Sequence, residues 1–130
     1  MPKNTKQYVD GFVLVVPKKK LAAYKRMAAQ GAKLWRKYGA LEYKECVGDD
    51  LNPKMGGMPP FLKFPKMVKL KKGGTVVFSY IVYKSRAHRD SVNAKVMKDP
   101  SMNDPKNKNQ PMPFDMKRMA YGGFKVIVGA

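Results

Sequence analysis

Residues 78–97 read Phe78-Ser-Tyr-Ile-Val-Tyr-Lys-Ser-Arg-Ala-His-Arg-Asp-Ser-Val-Asn-Ala-Lys-Val-Met97, and the pattern of this stretch changes at Ser85. Before Ser85 the β-branched and aromatic residues are typical of a strand, and after it the spacing is helical. Ser85 is a natural helix N-cap, because its hydroxyl can accept a hydrogen bond from a backbone N–H two or three residues later. The stretch therefore predicts a strand that leads directly into a helix.

A similar strand and helix come earlier in the chain. Tyr8–Val16 has two mostly apolar faces, so we expect a central strand, with the smooth face of Val9, Gly11, Val13 and Val15 against helices. Apolar residues from Leu21 to Tyr38 then follow the spacing of one buried helical stripe, which ends at Gly39. The predicted elements are a strand at 8–16, a helix at 18–38, a strand at 41–47, a further short strand at 67–70, a strand at 75–83, a helix at 85–98 and a strand at 117–128.

This order of elements contains two β-α-β units. It predicts an α+β fold, specifically a ferredoxin-like βαββαβ arrangement with two helices on one face of an antiparallel sheet. The other face is left uncovered, and the strands carry more aromatic surface than two helices can hide. We therefore expect a homodimer that packs sheet on sheet. The aromatic residues in question are Tyr8, Phe12, Tyr43, Phe78, Tyr80 and Tyr121.

The length of 130 residues and the 44% of hydrophobic residues predict a single α+β domain over 1–130. Within it we expect a flexible N-terminus at 1–7, a loop rich in proline and glycine at 52–65 and a polar connection at 99–113. No apolar run approaches the ~20 residues needed to span a bilayer, so no membrane partner is expected. The absence of a secretory signal pattern and the single cysteine, Cys46, predict a cytoplasmic location.

The net charge is strongly positive, at +18 from 27 basic and 9 acidic residues. Such a surface attracts polyanions non-specifically through the release of counter-ions. The basic residues are spread over every segment, and lysine dominates where the reading of base edges would favour arginine. A generally basic, solvated surface is the preferred interpretation, with nucleic-acid binding as an alternative.

Several blocks of the sequence together carry a resemblance to a known family. They are Tyr8–Phe12, Trp35 with Gly39–Tyr43, Glu45–Asp50, Ser85–Asp90 with Asn93–Met97, and Met112–Asp115 with Lys117–Met119 and Tyr121–Phe124. In these blocks the chain resembles the YbaA-like bacterial family of unknown function. That resemblance implies membership of the dimeric α+β-barrel superfamily, whose members include cofactor-independent monooxygenases, haem-degrading enzymes and isomerases. It thus implies the ferredoxin-like fold and dimerisation, but no particular reaction.

Arg86, His88 and Arg89 in the first turns of the second long helix form the first candidate site. The N-terminus of a helix is electropositive, so cationic side chains at that end need an anionic partner. His88 would act as a base or a hydrogen-bond donor, while the arginines hold a carboxylate or phosphate. The alternative is that Arg86 pairs with Asp90 one turn later and His88 packs in the core.

Asp10 is the second candidate, because it interrupts an apolar strand. A buried carboxylate must be paired or have its pKa raised, and proximity to His88 would make a general acid/base pair. Tyr80 and Tyr121 are expected to line the same pocket. The alternative is that Asp10 lies at the edge of the sheet and pairs with Arg118 or a lysine.

Other chemistries lack support in the sequence. Acidic neighbours raise the pKa of a thiol, so Cys46 is not expected to be a nucleophile. One histidine and one cysteine predict no metal site, and the glycine pairs lack the spacing of a nucleotide-phosphate loop, so no cofactor is expected. The predicted function is the binding of a small acidic or aromatic ligand, extending to cofactor-independent catalysis. A nucleic-acid-binding protein and a purely structural dimer are the alternatives.

Overall fold

The structure is a computed structural model that describes residues 6–54, 56–104 and 111–130. Its four strands form one antiparallel sheet in the order β2-β3-β1-β4, and three α-helices accompany it. This confirms the predicted α+β class and the antiparallel sheet. The elements are β1 at Tyr8–Pro17, α1 at Leu21–Lys37, β2 at Glu42–Val47, α2 at Phe64–Met67, β3 at Gly74–Tyr83, α3 at Arg86–Lys98 and β4 at Ala120–Lys125.

Strand β1 lies in the middle of the sheet. It pairs with β3 along its whole length, from Tyr8 opposite Tyr83 to Pro17 opposite Gly74. On its other side it pairs with β4, and this places Asp10 opposite Gly123. The alternative that put Asp10 at a sheet edge is therefore wrong, since neighbours lie on both sides of its strand.

The core lies between the sheet and the helices α1 and α3. One buried cluster joins Leu14 and Val16 of β1 to Tyr24 and Ala28 of α1, and a second contains Val92 of α3. The face of β1 that packs on helices is thus the one with the larger side chains. Our expectation that the helices cover Val9, Gly11, Val13 and Val15 is wrong, because the larger residues fill the space between sheet and helix.

Some predicted boundaries also change. The predicted strand at 67–70 is wrong, because the helix α2 and its C-terminal turn occupy this segment. The backbone N–H groups of Val68 and Leu70 donate to the carbonyl oxygens of Phe64 and Pro65, which leaves them unavailable to a sheet. Strand β4 begins only at Ala120, since a 3-10 turn over Met116–Arg118 precedes it.

The predicted loops fall partly outside the described residues, which omit 1–5 and 105–110. The described part of the 99–113 connection contains a 3-10 turn at Pro100–Asn103. Before it, Asp99 accepts hydrogen bonds from Tyr38 at 2.6 Å and from the Ser101 hydroxyl at 2.7 Å. These bonds hold the pKa of Asp99 well below its usual range and tie the end of α3 to the end of α1.

The sheet face opposite the helices carries apolar side chains from three strands. Phe78 of β3 is 44% exposed and Phe124 of β4 is 61% exposed, and Val9, Val13, Tyr80 and Val82 share this face by register. We call these six residues the open-face patch. Four of the aromatic residues expected there lie on the helix side instead, namely Tyr8, Phe12, Tyr43 and Tyr121. Within the described residues, no helix is long and apolar enough to cross a membrane.

Candidate functional site

Asp10 is the centre of a buried polar cluster on the helix side of the sheet. Its side chain is nearly inaccessible, at 1% relative exposure, and its Oδ1 lies 3.0 Å from Nη1 of Arg89. The same Nη1 donates to the hydroxyl oxygen of Tyr121 at 2.8 Å. Arg89 reaches the sheet from α3, one helical turn before the buried Val92. The first polar layer therefore joins β1, β4 and α3.

Burial and charge act on Asp10 in opposite directions. Burial raises the pKa of its carboxyl, while the Arg89 guanidinium and hydrogen bonds from Tyr121, Tyr83 and Asn93 lower it, and the net shift is upward. Burial alone would lower the pKa of Arg89, but Asp10 and other acidic or phenolic neighbours raise that pKa above its ordinary value. Arg89 thus stays a cation.

A second polar layer supports the first. Asn93 of α3 accepts at Oδ1 from Nε1 of Trp35 at 3.0 Å and from the hydroxyl of Tyr83 at 3.4 Å. Tyr83 is completely buried, and this burial raises the pKa of its phenol. This layer connects α1, β3 and α3 next to Asp10. Its hydrogen bonds fix the positions of the three side chains relative to one another.

The ring of Tyr8 lies close to both Arg89 and Gly123. The guanidinium carbon of Arg89 is 4.9 Å from the ring centroid, a distance typical of a cation–π contact. A Cβ added to Gly123 would lie 2.6 Å from Cε2 and 2.8 Å from Cζ of Tyr8, with Oη closer still. Only glycine therefore lets the ring rest on β4. We call Tyr8, Arg89 and Gly123 the tyrosine clamp.

An open cleft of about 560 Å³ lies beside the tyrosine clamp, at the start of α3. Ser85 and Arg86 form one side of it, and the strand ends form the other. Three of its lining residues are cations and none is acidic, and the first turn of α3 adds its own positive partial charge. We call it the basic cleft; its lining residues are Lys6, Tyr8, Ser85, Arg86, Gly123 and Lys125.

His88 has a structural environment. The backbone N–H of Lys84 donates to its Nδ1 at 2.9 Å, and its own backbone N–H donates to Oγ of Ser85 at 3.0 Å, which confirms the predicted N-cap. Its ring meets that of Tyr83 edge on, at 6.1 Å between centroids. Burial, followed by the charges of Lys84 and Lys95, lowers its pKa below 6.5. His88 is therefore neutral at pH 7, with its proton on Nε2.

The predicted site residues separate into groups. Asp10, Arg89 and Tyr121 come together, and Arg86 lies nearby in the basic cleft. His88 makes no hydrogen bond with Asp10 among the described residues. Tyr80 points to the opposite sheet face, where its hydroxyl lies 3.4 Å from Oε1 of Glu42.

The alternative pairings are also replaced. Asp90 lies 2.9 Å from Nε of Arg89, and the described part of the chain contains no ion pair between Asp90 and Arg86. Arg118 donates to the backbone carbonyl oxygens of Val68 and Lys69 rather than to Asp10. No described group of three or more histidine, cysteine or carboxylate side chains could hold a metal ion.

Sequence reasoning missed Tyr83, Asn93 and Trp35 as members of the Asp10 cluster. One signal could have found part of it. Arg89, Asn93 and Val96 follow the 3-and-4 spacing of a single helix face, so both polar residues had to turn toward the sheet with the apolar one. The tyrosine clamp had no such signal, because it depends on the register between β1 and β4.

Comparison with known proteins agrees with the blocks of sequence described above. The model of a family described as "Protein of unknown function (DUF1428)" matches residues 7–116. The chain is 43% identical over 122 residues to the uncharacterized protein YbaA of Escherichia coli (strain K12), covering 94% of this chain and 97% of that protein. The uncharacterized protein YbaA of Shigella flexneri gives the same identity and coverage. The chain therefore belongs to the DUF1428 family, which includes the YbaA proteins.

Proposed function

We propose that this protein binds a small acidic ligand in the basic cleft. The observation that carries the proposal is the charge of the lining: Lys6, Arg86 and Lys125 surround a space that no carboxylate enters. A carboxylate or phosphate there would gain charge-assisted hydrogen bonds from these cations. The N-terminal turn of α3 adds to the attraction.

The tyrosine clamp gives the basic cleft a rigid wall. Asp10 fixes Arg89, Arg89 packs on one face of Tyr8, and Tyr8 lines the cleft. Asp10 is then a positioning residue, separated from the ligand by Arg89 and Tyr8. The three cations of the lining make the acidic group of the ligand the element that the basic cleft recognises.

The proposal is one of binding without an assigned reaction. A general base needs a free lone pair within reach of the substrate. Nδ1 of His88 already accepts a backbone hydrogen bond, and Asp10 is buried against Arg89. These contacts disfavour the acid/base pair of Asp10 and His88 and favour a ligand-binding role.

We also propose a ferredoxin-like fold and a homodimer formed through the open-face patch. The strand order β2-β3-β1-β4 and the two β-α-β units support the fold. The exposed rings of Phe78 and Phe124 on one flat face support a sheet-on-sheet contact with a second copy. The exposed free thiol of Cys46 supports a cytoplasmic location.

Calorimetric titration with inorganic phosphate, acetate and benzoate at constant ionic strength tests the ligand proposal. We expect saturable binding that Arg86→Gln weakens about tenfold, the usual effect of removing one charge-assisted hydrogen bond. Arg26→Gln, on the exposed side of α1, is the matched control and should leave affinity unchanged. Equal losses in both variants would instead indicate non-specific polyanion binding by the whole lysine surface.

Sedimentation equilibrium tests the dimer separately. We expect the wild-type chain to dimerise and Phe78→Glu to be a folded monomer, since a charge in an apolar interface is strongly disfavoured. Val128→Glu, at an even more exposed apolar residue outside the patch, should still dimerise. A wild-type chain that stays monomeric at its highest soluble concentration contradicts the homodimer.

A further inference from the structure

The described residues of the segment 54–72 include several large apolar side chains that are exposed. Five of these side chains are between 43 and 65% exposed. Isolated exposed apolar residues are common on protein surfaces, but five within one short stretch of chain form a cluster. They follow one another closely in the chain and precede or belong to the short helix α2. The five are Met58, Phe61, Leu62, Phe64 and Met67. We call 54–72 the basic apolar segment.

Positive charge is interleaved with these apolar residues. The basic apolar segment contains six lysines, and no aspartate or glutamate occurs from Leu51 to Arg89. In the single turn of α2, Phe64 and Met67 are three residues apart and so lie side by side, while Lys66 belongs to the same turn and Lys63 immediately precedes it. The six lysines are Lys54, Lys63, Lys66, Lys69, Lys71 and Lys72.

The C-terminal end of this segment is fixed to the body of the protein. The guanidinium of Arg118 donates to the carbonyl oxygens of Val68 and Lys69. The side chains of Leu70 and Val15 both approach Gly74, at the start of β3. The exposed apolar residues therefore extend from an anchored base rather than from a free chain.

We propose that the basic apolar segment docks this protein peripherally on an anionic lipid surface. The lysines would contact the acidic lipid headgroups. The exposed phenylalanine, leucine and methionine side chains would enter the acyl-chain region just below those headgroups. Nucleic acid would engage the lysines but would gain little from exposed Leu62 and Met58, which cannot stack on bases as aromatic rings do. The expectation of no membrane partner rests on the lack of an apolar run long enough to span a bilayer. A peripheral contact needs no such run. The proposal is independent of the basic cleft.

Sedimentation of the full chain with lipid vesicles tests this proposal. We expect binding to vesicles of phosphatidylcholine mixed with phosphatidylserine, and little binding to phosphatidylcholine alone. The double variant Lys63→Glu/Lys66→Glu should weaken binding by at least about 25-fold, given roughly fivefold for each lysine near an anionic membrane. Lys95→Glu/Lys98→Glu, an equal change of charge on exposed positions of α3, should weaken it much less.

A second pair of variants separates apolar insertion from charge. Replacing Phe61, Leu62 and Phe64 with serine should weaken binding about tenfold with the charge unchanged. Ile127→Ser/Val128→Ser is the control, because these residues are 80 and 82% exposed and lie outside the segment. Circular dichroism of each variant verifies folding.

Three outcomes would overturn the proposal. The first is no binding to the anionic vesicles. The second is an equal loss in the segment variants and in their controls, which would indicate attraction by overall charge alone. The third is binding to single-stranded RNA through the same lysines in the absence of vesicle binding, which would make the segment a nucleic-acid surface.

Discussion

Replacing Gly123 with alanine is expected to destabilise the protein through the tyrosine clamp. The new Cβ would lie 2.6 to 2.8 Å from two ring carbons of Tyr8, well inside contact distance. Any shift of the ring would disturb its contact with the Arg89 guanidinium, which lies 4.9 Å from the ring centroid. Overpacking of this kind lowers the free energy of unfolding by about 1–3 kcal/mol.

The neighbouring glycine provides the matched control. A Cβ on Gly122 would meet only the ring of Phe124, at 3.6 Å, which is an ordinary van der Waals contact. We therefore expect Gly122→Ala to change the free energy of unfolding by less than about 0.5 kcal/mol. Urea unfolding followed by circular dichroism measures both variants under the same conditions.

A double-mutant cycle identifies the cause. In a Tyr8→Ala background the ring is gone, so Gly123→Ala should lose most of its destabilising effect. Two results would refute this explanation. One is a Gly123→Ala variant as stable as Gly122→Ala, and the other is a destabilisation that persists undiminished after Tyr8 is removed.

Three further predictions concern titrating groups. Folding lowers the pKa of His88, so as the pH falls below 6.5 the unfolded chain binds a proton at this residue before the folded chain does, and the free energy of unfolding decreases. NMR titration of His88 in the folded protein should give a midpoint below 6.5, and His88→Asn should remove this part of the pH dependence. Asp10→Asn should lower the free energy of unfolding by about 2–4 kcal/mol, because Arg89 stays charged in a largely buried site; a urea-unfolding loss no larger than that of the exposed control Asp50→Asn would contradict this. The depressed pKa of Asp99 stabilises the fold above pH 3.8, and this contribution is lost as the pH falls further; thermal unfolding of Asp99→Asn should therefore show a weaker dependence on acidic pH than the wild-type chain.

The elements were largely predictable because their signals are local. Strand β3, the cap at Ser85 and helix α3 follow from residues that are neighbours in the chain. The side of β1 that meets the helices was not predictable, since both of its faces are apolar and its partners β3 and β4 come from distant parts of the sequence. The prolines and glycines of 52–65 predict a loop and so hide the start of helix α2, because proline also favours the first turn of a helix.

The candidate site was predictable in its residues more than in its arrangement. Arg86, His88 and Arg89 were selected together, yet each has a different role. The N-cap turns His88 back toward the Lys84 N–H, while Arg89 faces the sheet and Arg86 faces the basic cleft. The contact of Arg89 with both Asp10 and Tyr121 needs the pairing of β1 with β4, which no local pattern encodes.

Chemical-shift mapping tests the proposed function most directly. The isotope-labelled protein is titrated with inorganic phosphate at constant ionic strength, and the chemical-shift change of each backbone amide shows where the anion binds. We predict saturable shifts confined to the basic cleft, with the largest at Ser85, Arg86 and Gly123. Shifts that do not saturate and that spread over the lysine-bearing surface, or the absence of shifts at these three residues, would contradict the basic cleft as a ligand site.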